Sequence, residues 1–97
     1  MLHPDEADDL DFDEANLDHL AKHRITPAEV LEVWLNSPVY VPNKKGLAAT
    51  HLMLGDTDGG RAMTIGVVTD EARRLLRPIT GWDSTAGELT RWRPGRR

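Results

Sequence analysis

Two histidines in the first third of the chain have a spacing that could support proton transfer. His19 and His23 stand at positions i and i+4, which places both on one side of a helix. Because imidazole titrates near neutral pH, such a pair can supply a general base and a general acid. The same spacing could hold a metal ion, but the segment lacks the glutamate of an H-E-x-x-H motif and a third ligand nearby. We therefore predict neither a metal nor a cofactor, and the plainest alternative is two partly exposed surface histidines.

Cleavage of RNA without a metal is one reaction that such a pair could catalyse. It needs a base for the ribose 2′-hydroxyl, an acid for the leaving oxygen and cations for the charge on phosphate. Arginine suits the third role because its planar guanidinium binds two phosphate oxygens at once, and a tryptophan can stack on a base. The candidate catalytic residues are His19, His23, Arg61, Arg77 and Glu88, and the candidate RNA-binding residues are Lys22, Arg74, Trp82 and Arg91. Arg61 follows a Gly-Gly turn and is as readily explained as a solvated surface charge.

Three helices are predicted from their capping signals. Asp13 can cap a first helix over about residues 14–23, which would carry both histidines. Residues 26–29, Thr-Pro-Ala-Glu, combine an N-cap threonine, a proline at the first helical position and a capping-box glutamate, so a second helix should follow. Residues 85–88, Thr-Ala-Gly-Glu, form another capping box and predict a short C-terminal helix.

Alternating and β-branched residues predict the strands. A short edge strand is expected at residues 10–12 and a short candidate at 39–41; turn-separated strands are expected at 47–54, 62–69 and 73–80. The predicted order is β-α-α-β-β-β-α. This order gives an α+β fold, with a small curved antiparallel sheet, two N-terminal helices on one face and a short C-terminal helix.

Size and composition limit the class of protein. A chain of 97 residues makes one domain, and the absence of cysteine excludes disulfides and a cysteine nucleophile. The acidic N-terminus lacks the apolar stretch of a signal peptide, and no apolar run reaches the ~20 residues of a membrane span. We expect a cytoplasmic protein with a disordered acidic N-terminus over residues 1–8, one domain over 9–93 and a basic tail over 94–97.

The formal net charge of −4 conceals an asymmetry. Residues 1–14 contain acids and no lysine or arginine, whereas seven arginines fall within residues 73–97. An acidic beginning and a basic end suggest a polar partner such as nucleic acid, although solvated chain ends explain the same composition.

Three segments, taken together, resemble the BrnT-like family of bacterial toxins. The first is Asp-Glu-x-Asn-x-x-His-Leu-x-x-His-x-Ile-Thr-Pro-x-Glu-Val over residues 13–30. The second is Leu-Gly-x-Thr-x-x-Gly-Arg over 54–61, and the third is Arg-Pro-Ile-Thr-Gly-Trp over 77–82, followed by Glu88. The third segment departs from the family, which usually has an arginine where Trp82 stands. The likeness extends over about residues 10–92.

The resemblance implies a function as well as a fold. It implies a RelE-like ribonuclease fold, a BrnA-like antitoxin as partner and action on messenger RNA, and it allows a homodimer; no membrane partner is expected. It also implies polar site groups at His23, Arg61, Arg77 and Glu88. Three readings stay open at this point. The first is an endoribonuclease toxin, and the second is a non-catalytic binding protein of the same fold that pairs with an antitoxin-like partner. The third is a small module with a structural role.

The two lines of reasoning lead to one geometric expectation. His19, His23, Arg61, Arg77 and Glu88 should converge on a concave surface formed by the sheet and the first helix. The alternative at the sheet is a structural ion pair between Arg77 and Glu88 that has no part in catalysis.

Overall fold

A computed structural model describes residues 2–92. Its elements in chain order are a 3-10 helix (Pro4–Glu6), β1 (Asp9–Leu10), α1 (Glu14–Lys22), α2 (Pro27–Leu35), β2 (Val39–Pro42), β3 (His51–Asp56), β4 (Ala62–Asp70), β5 (Leu75–Asp83) and α3 (Ala86–Trp92). The α+β class predicted from the sequence is confirmed. None of the helices in this part of the chain is long and apolar enough to cross a membrane. The predicted basic tail, residues 94–97, lies outside the described residues.

The first two helices begin at the capping residues that the sequence indicates. The Asp13 carboxylate accepts a hydrogen bond of 2.8 Å from the backbone N–H of Asn16, at the start of α1. At α2 the capping box is complete, because the Thr26 hydroxyl accepts from the Glu29 N–H and the Glu29 carboxylate accepts from the Thr26 N–H. Both caps satisfy backbone donors that the first helical turn leaves without partners.

The five strands form one sheet in the order β1-β5-β4-β3-β2. Strands β2 to β5 are an antiparallel meander, but β1 pairs with β5 in parallel. The prediction of a wholly antiparallel sheet was therefore wrong at one edge. The predicted order contained one strand too few between α2 and α3. The candidate at residues 39–41 is a full member of the sheet, so four strands separate these two helices.

The parallel edge follows from charge as well as from backbone pairing. Acids of the N-terminal segment lie beside arginines in and before β5. The pairs at the two ends of this segment advance in the same chain direction, and Asp11 between them contacts both Arg73 and Arg77. Asp8 pairs with Arg74 at 3.0 Å, and Asp13 pairs with Arg77 at 2.6 Å. A parallel register is the one that matches these opposite charges, whereas an antiparallel register would reverse their order.

The start of the chain also differs from its prediction. Residues 1–8 were expected to lack structure, but within the described residues of this segment a capped 3-10 helix spans Pro4–Glu6 and Pro4 is buried. The backbone N–H of Asp8 donates to the Arg74 carbonyl at 2.8 Å, which continues the ladder of β1. Composition suggested that this segment had nothing to bury; the proline and the pairing along the sheet edge supply what composition does not show.

The two faces of the sheet are covered by different helices. Side chains of α1 and α2, including Leu20 and Val33, pack with Met53, Ile65 and Leu76 in a core whose members are all buried. Because side chains alternate across a strand, Thr64 and Trp82 lie on the opposite face, where α3 packs. The sheet therefore presents one face to the two N-terminal helices and its other face to α3.

Candidate functional site

The paired histidines lie at the C-terminal end of α1. Both are exposed, and their ring centroids are 5.1 Å apart. Nε2 of His19 lies 3.0 Å from the Thr80 hydroxyl of β5, within hydrogen-bond distance. Lys22 stands between them in sequence and is exposed. The prediction that a helix brings these two imidazoles together is confirmed, and the contact with Thr80 holds one of them against the sheet.

Thr80 lies unusually close to the backbone of β4, which limits where its side chain can lie. It pairs with Gly66 of β4, next to a register shift between Gly66 and Val67. A Cβ added at Gly66 would lie 2.6 Å from Thr80 Cγ2, closer than side chains tolerate, so glycine leaves the space that the threonine occupies. Sequence reasoning did not select Thr80, and its only signal was a short hydroxyl residue in a strand facing the histidine helix.

Arg61 is bound on three sides. Its Nη1 donates to Glu29 and to the Arg24 carbonyl, both at 2.9 Å, and its Nε donates to Asp83 at 2.6 Å. The hydrogen bond to Asp83, followed by that to Glu29, raises the pKa of the guanidinium. Arg61 thus joins the start of α2 to the end of β5, and its donors are directed to protein groups.

The ion pair with Arg61 also affects the pKa of Glu29. Burial raises the pKa of this carboxyl, but the hydrogen bond from the Thr26 backbone and the bonds to Arg61 outweigh burial and lower it. Glu29 is therefore an ionised acceptor shared between a helix cap and Arg61, which is a structural role.

Glu88 is enclosed by neutral hydrogen-bond donors. Its carboxylate accepts from Trp82 Nε1 at 3.0 Å, from the Thr64 hydroxyl at 2.9 Å and from the Thr85 N–H at 2.9 Å. Burial raises its pKa, but these hydrogen bonds, led by that of Thr85, outweigh burial and lower it. Glu88 therefore caps α3 as a carboxylate. Trp82, predicted to stack on RNA, instead donates its indole N–H to this group and is half-buried.

Arg77 pairs with acids of the N-terminal segment. Its Nη2 donates to Asp13 at 2.6 Å, and its Nε lies 3.3 Å from Asp11 Oδ2, in ion-pair range but not aligned as a hydrogen bond. Asp13 also caps α1, so one carboxylate connects the helix cap to β5. The alternative of an Arg77–Glu88 pair was wrong about the partner, because two aspartates take that place.

Arg73 and Arg74 continue the same network at the turn before β5. Arg73 pairs with Asp11 at 2.7 Å and with Asp70 at 2.9 Å. Arg74 pairs with Asp8 and donates to a backbone carbonyl of the N-terminal segment. We call Arg73, Arg74 and Arg77 the arginine patch; all three of its members face carboxylates of the same chain.

Among residues 2–92, no hydrogen bond or ion pair joins the histidine pair to Arg61, Arg77 or Glu88. His19 and His23 contact each other, but Arg61, Arg77 and Glu88 each belong to a separate set of partners. Arg77 and the Asp83 that binds Arg61 are six positions apart in β5, which corresponds to roughly 20 Å along a strand. Of the remaining candidates, Lys22 and Arg91 are exposed and neither has an ion-pair partner among residues 2–92.

Further cations that sequence reasoning did not select lie in the loop between β2 and β3. Lys44 and Lys45 are exposed, and within the described part of the chain neither has an acidic partner. The sequence indicated only a turn at this point. Among residues 2–92 no three His, Cys, Asp or Glu side chains come together in a way that could hold a metal ion.

Comparison with known proteins adds no assignment. No family model matches the chain, and neither the curated proteins nor the solved structures give a significant match.

Proposed function

We propose that this protein is the toxin component of a type II toxin–antitoxin pair and acts in the cytoplasm as a metal-independent endoribonuclease on messenger RNA. The observation that carries the proposal is the exposed imidazole pair of His19 and His23, with ring centroids 5.1 Å apart and Lys22 beside them. The resemblance of residues 13–30 to BrnT-like toxins supports the same conclusion. These residues include both histidines and form α1, the following turn and the start of α2.

The chemistry needs two proton transfers and no metal. One imidazole takes the proton of a ribose 2′-hydroxyl, and the oxygen attacks the adjacent phosphorus to form a 2′,3′-cyclic phosphate. The other imidazole donates a proton to the departing 5′-oxygen, so the pair exchanges protonation states in one cleavage. The ammonium group of Lys22 stabilises the negative charge that develops on the phosphate. Arg61, Arg77 and Glu88 contribute to the stability of the fold in this scheme.

Cleavage of a defined RNA by purified protein tests the proposal. Wild-type protein with a chelator present should cut a single-stranded oligoribonucleotide and leave a 2′,3′-cyclic phosphate. His19→Ala and His23→Ala should each reduce the rate by about 100-fold or more, the usual contribution of a general acid or base.

His3→Ala is the matched control. His3 is also exposed, but its ring contacts those of Tyr40 on β2 and His51 on β3. This variant should cut RNA at the wild-type rate. Wild-type protein that leaves RNA intact, or His19→Ala protein that cuts at the wild-type rate, would refute the enzymatic part of the proposal.

A specific observation favours a second candidate, a non-catalytic protein that binds an antitoxin-like partner. The arginines that the resemblance implies for the site, Arg61 and Arg77, are both engaged by carboxylates. Transition-state stabilisation by a guanidinium requires that its donors be directed at the reacting phosphate. Induced expression separates the two candidates: a ribonuclease toxin arrests growth and its His19→Ala variant does not, whereas a binding protein leaves growth unchanged in both cases.

A further inference from the structure

We propose that the loop of residues 43–50, here called the lysine loop, binds the phosphodiester backbone of the single-stranded RNA on which the histidine pair acts. The inference rests on the proposed function and extends it, since it assigns the binding of the strand to residues outside the histidine helix. Lys44 and Lys45 are exposed and, within residues 2–92, have no carboxylate partner. Their charges are therefore available to an anion from solution.

The lysine loop is held in shape by Asn43. The backbone N–H of Asn43 donates to the Thr50 carbonyl at 2.9 Å, its side-chain amide donates to the Ala49 carbonyl at 2.9 Å, and its Oδ1 accepts from the Lys44 N–H at 2.9 Å. Gly46 adopts a positive φ of 86°, which lets the chain turn tightly. The loop residues line an open recess of about 180 Å³. A pre-shaped loop loses less conformational entropy when it binds a ligand.

The recess lies at the end of a continuous line of contacts that leads to His19. A Cβ built on Gly66 would be 3.0 Å from Ala49 Cβ and 2.6 Å from Thr80 Cγ2, so the loop and Thr80 meet above the Gly66 backbone. Thr80 in turn contacts His19 at 3.0 Å. The line crosses β4 and β5, whose separation is about 4.8 Å. One single strand of a few nucleotides can therefore contact both places.

Charge and surface chemistry identify the ligand as a nucleic-acid strand. Lysines that contact phosphates release counterions, which is the main source of affinity for a polyanion. Leu47 is 57% exposed in the same loop and offers an apolar contact for a base. The arginine patch, by contrast, already faces Asp8, Asp11 and Asp13 and is the weaker choice for the same strand.

Equilibrium binding of a 2′-O-methyl oligoribonucleotide tests the proposal, because such a strand cannot be cleaved and reports binding alone. Lys44→Ala and Lys45→Ala should each weaken binding several-fold at low salt. In the double variant the slope of log K against log salt should become less negative by about 1.4, which corresponds to two phosphate contacts on a single strand. Arg73→Ala is the matched control, since it removes one exposed charge that is paired with acids, and it should change affinity less than twofold.

The outcomes separate this inference from the proposed function. A lysine double variant that keeps its fold, the wild-type affinity and the wild-type salt slope overturns the role of the loop, even where wild-type protein cleaves RNA. A reduced slope in the lysine variant together with no cleavage by wild-type protein supports the loop and refutes the catalytic proposal. Release of the oligonucleotide by inorganic phosphate at matched ionic strength would show a free-phosphate site and would overturn binding of a strand.

Discussion

Two positively charged regions of this protein differ in what faces them. The arginine patch at β5 and the turn before it is matched by acids of the N-terminal segment, with pairs between 2.6 and 3.3 Å. The side chains at the end of α1 and in the lysine loop, among them Lys22, Lys44 and Lys45, have no such acids among residues 2–92. The difference shows that a run of arginines does not by itself mark a surface for phosphate. The net charge of −4 likewise conceals cations that remain free to bind.

The origin of this difference is the parallel edge of the sheet. β1 is only two residues long, but it places the acidic segment along β5 over the length of the arginine patch. Exposed ion pairs of this kind contribute about 0–1 kcal/mol each. They are therefore too weak to explain the fold alone, and backbone pairing together with burial of Pro4 supplies the remainder.

Among the changes that distinguish the two regions, deletion of residues 2–8 should have the largest effect on stability. It removes buried Pro4, worth about 0.8 kcal/mol per CH₂ group, and the hydrogen bond from the Asp8 N–H to the Arg74 carbonyl, worth about 1 kcal/mol. Because both contributions are lost, we expect a decrease of about 3 kcal/mol in the free energy of unfolding, measured by urea denaturation. The net charge would change from −4 to −4 + 3 = −1, so RNA affinity should increase.

A charge-only variant is the control for this deletion. Asp5→Asn, Glu6→Gln and Asp8→Asn together remove the same charges and keep the backbone. This variant should lose much less stability than the deletion variant does, and it should bind RNA as tightly as the deletion variant. An N-terminally shortened protein with an unchanged urea midpoint would contradict the structured start of the chain.

Glu88→Gln should have the next largest effect, and its effect depends on pH. The folded pKa of Glu88 lies below its ordinary value of 4.5, so the ionised form stabilises the fold. This contribution is complete above pH 4.5 and is lost as pH falls through the lowered value. Replacement of the carboxylate weakens hydrogen bonds to a charged acceptor, and we expect a loss of about 2 kcal/mol at neutral pH.

The test is the difference in stability between wild type and Glu88→Gln as a function of pH. The difference should be constant near neutral pH and should shrink in acid, because glutamine does not titrate. A difference that grows as pH falls would mean that the carboxyl is protonated in the folded protein. That result would restore Glu88 as a candidate general acid.

Local signals predicted the helices well and the sheet edge poorly. Asp13 and the Thr26–Glu29 capping box determine the start of α1 and α2 by contacts within a few residues. The parallel pairing of β1 depends on contacts between segments more than 60 residues apart, such as Asp13 with Arg77. No short-range pattern contains that information. The 3-10 helix combines both kinds of contact, because its capping box between His3 and Glu6 is local whereas the burial of Pro4 is tertiary.

The candidate site was predicted in the same uneven way. The i, i+4 spacing brought His19 and His23 together, because the spacing is a local property of a helix. Arg61, Arg77 and Glu88 each bind other partners, which the sheet register brings to them and which local spacing does not reveal. Residue type alone suggested phosphate binding for the arginines; only the tertiary structure shows which cations remain unpaired.

Arg77→Ala tests whether a paired arginine acts on stability and not on RNA. Removal of Arg77 leaves Asp13 without its cation, leaves Asp11 with Arg73 alone and removes packing by the alkyl stem, and we expect a loss of about 1–2 kcal/mol. RNA affinity should change less than twofold. Lys44→Ala should show the reverse pattern, with weaker RNA binding and an unchanged melting temperature. Equal loss of RNA affinity in both variants would remove the distinction between the two regions.

Thr26→Ala has the smallest expected effect and examines the other engaged arginine. The substitution removes the hydroxyl that accepts the Glu29 N–H at 3.2 Å, and loss of an N-cap costs about 1 kcal/mol. Glu29 also binds Arg61, so the cap and the ion pair share one carboxylate. Residues in one such network are expected to couple, and the double variant Thr26→Ala/Arg61→Ala should therefore lose less stability than the sum of the single variants. Additive losses would show that the cap is independent of Arg61. The donors of Arg61 could then be redirected to a phosphate without cost to α2, and Arg61 would return as a candidate for RNA binding.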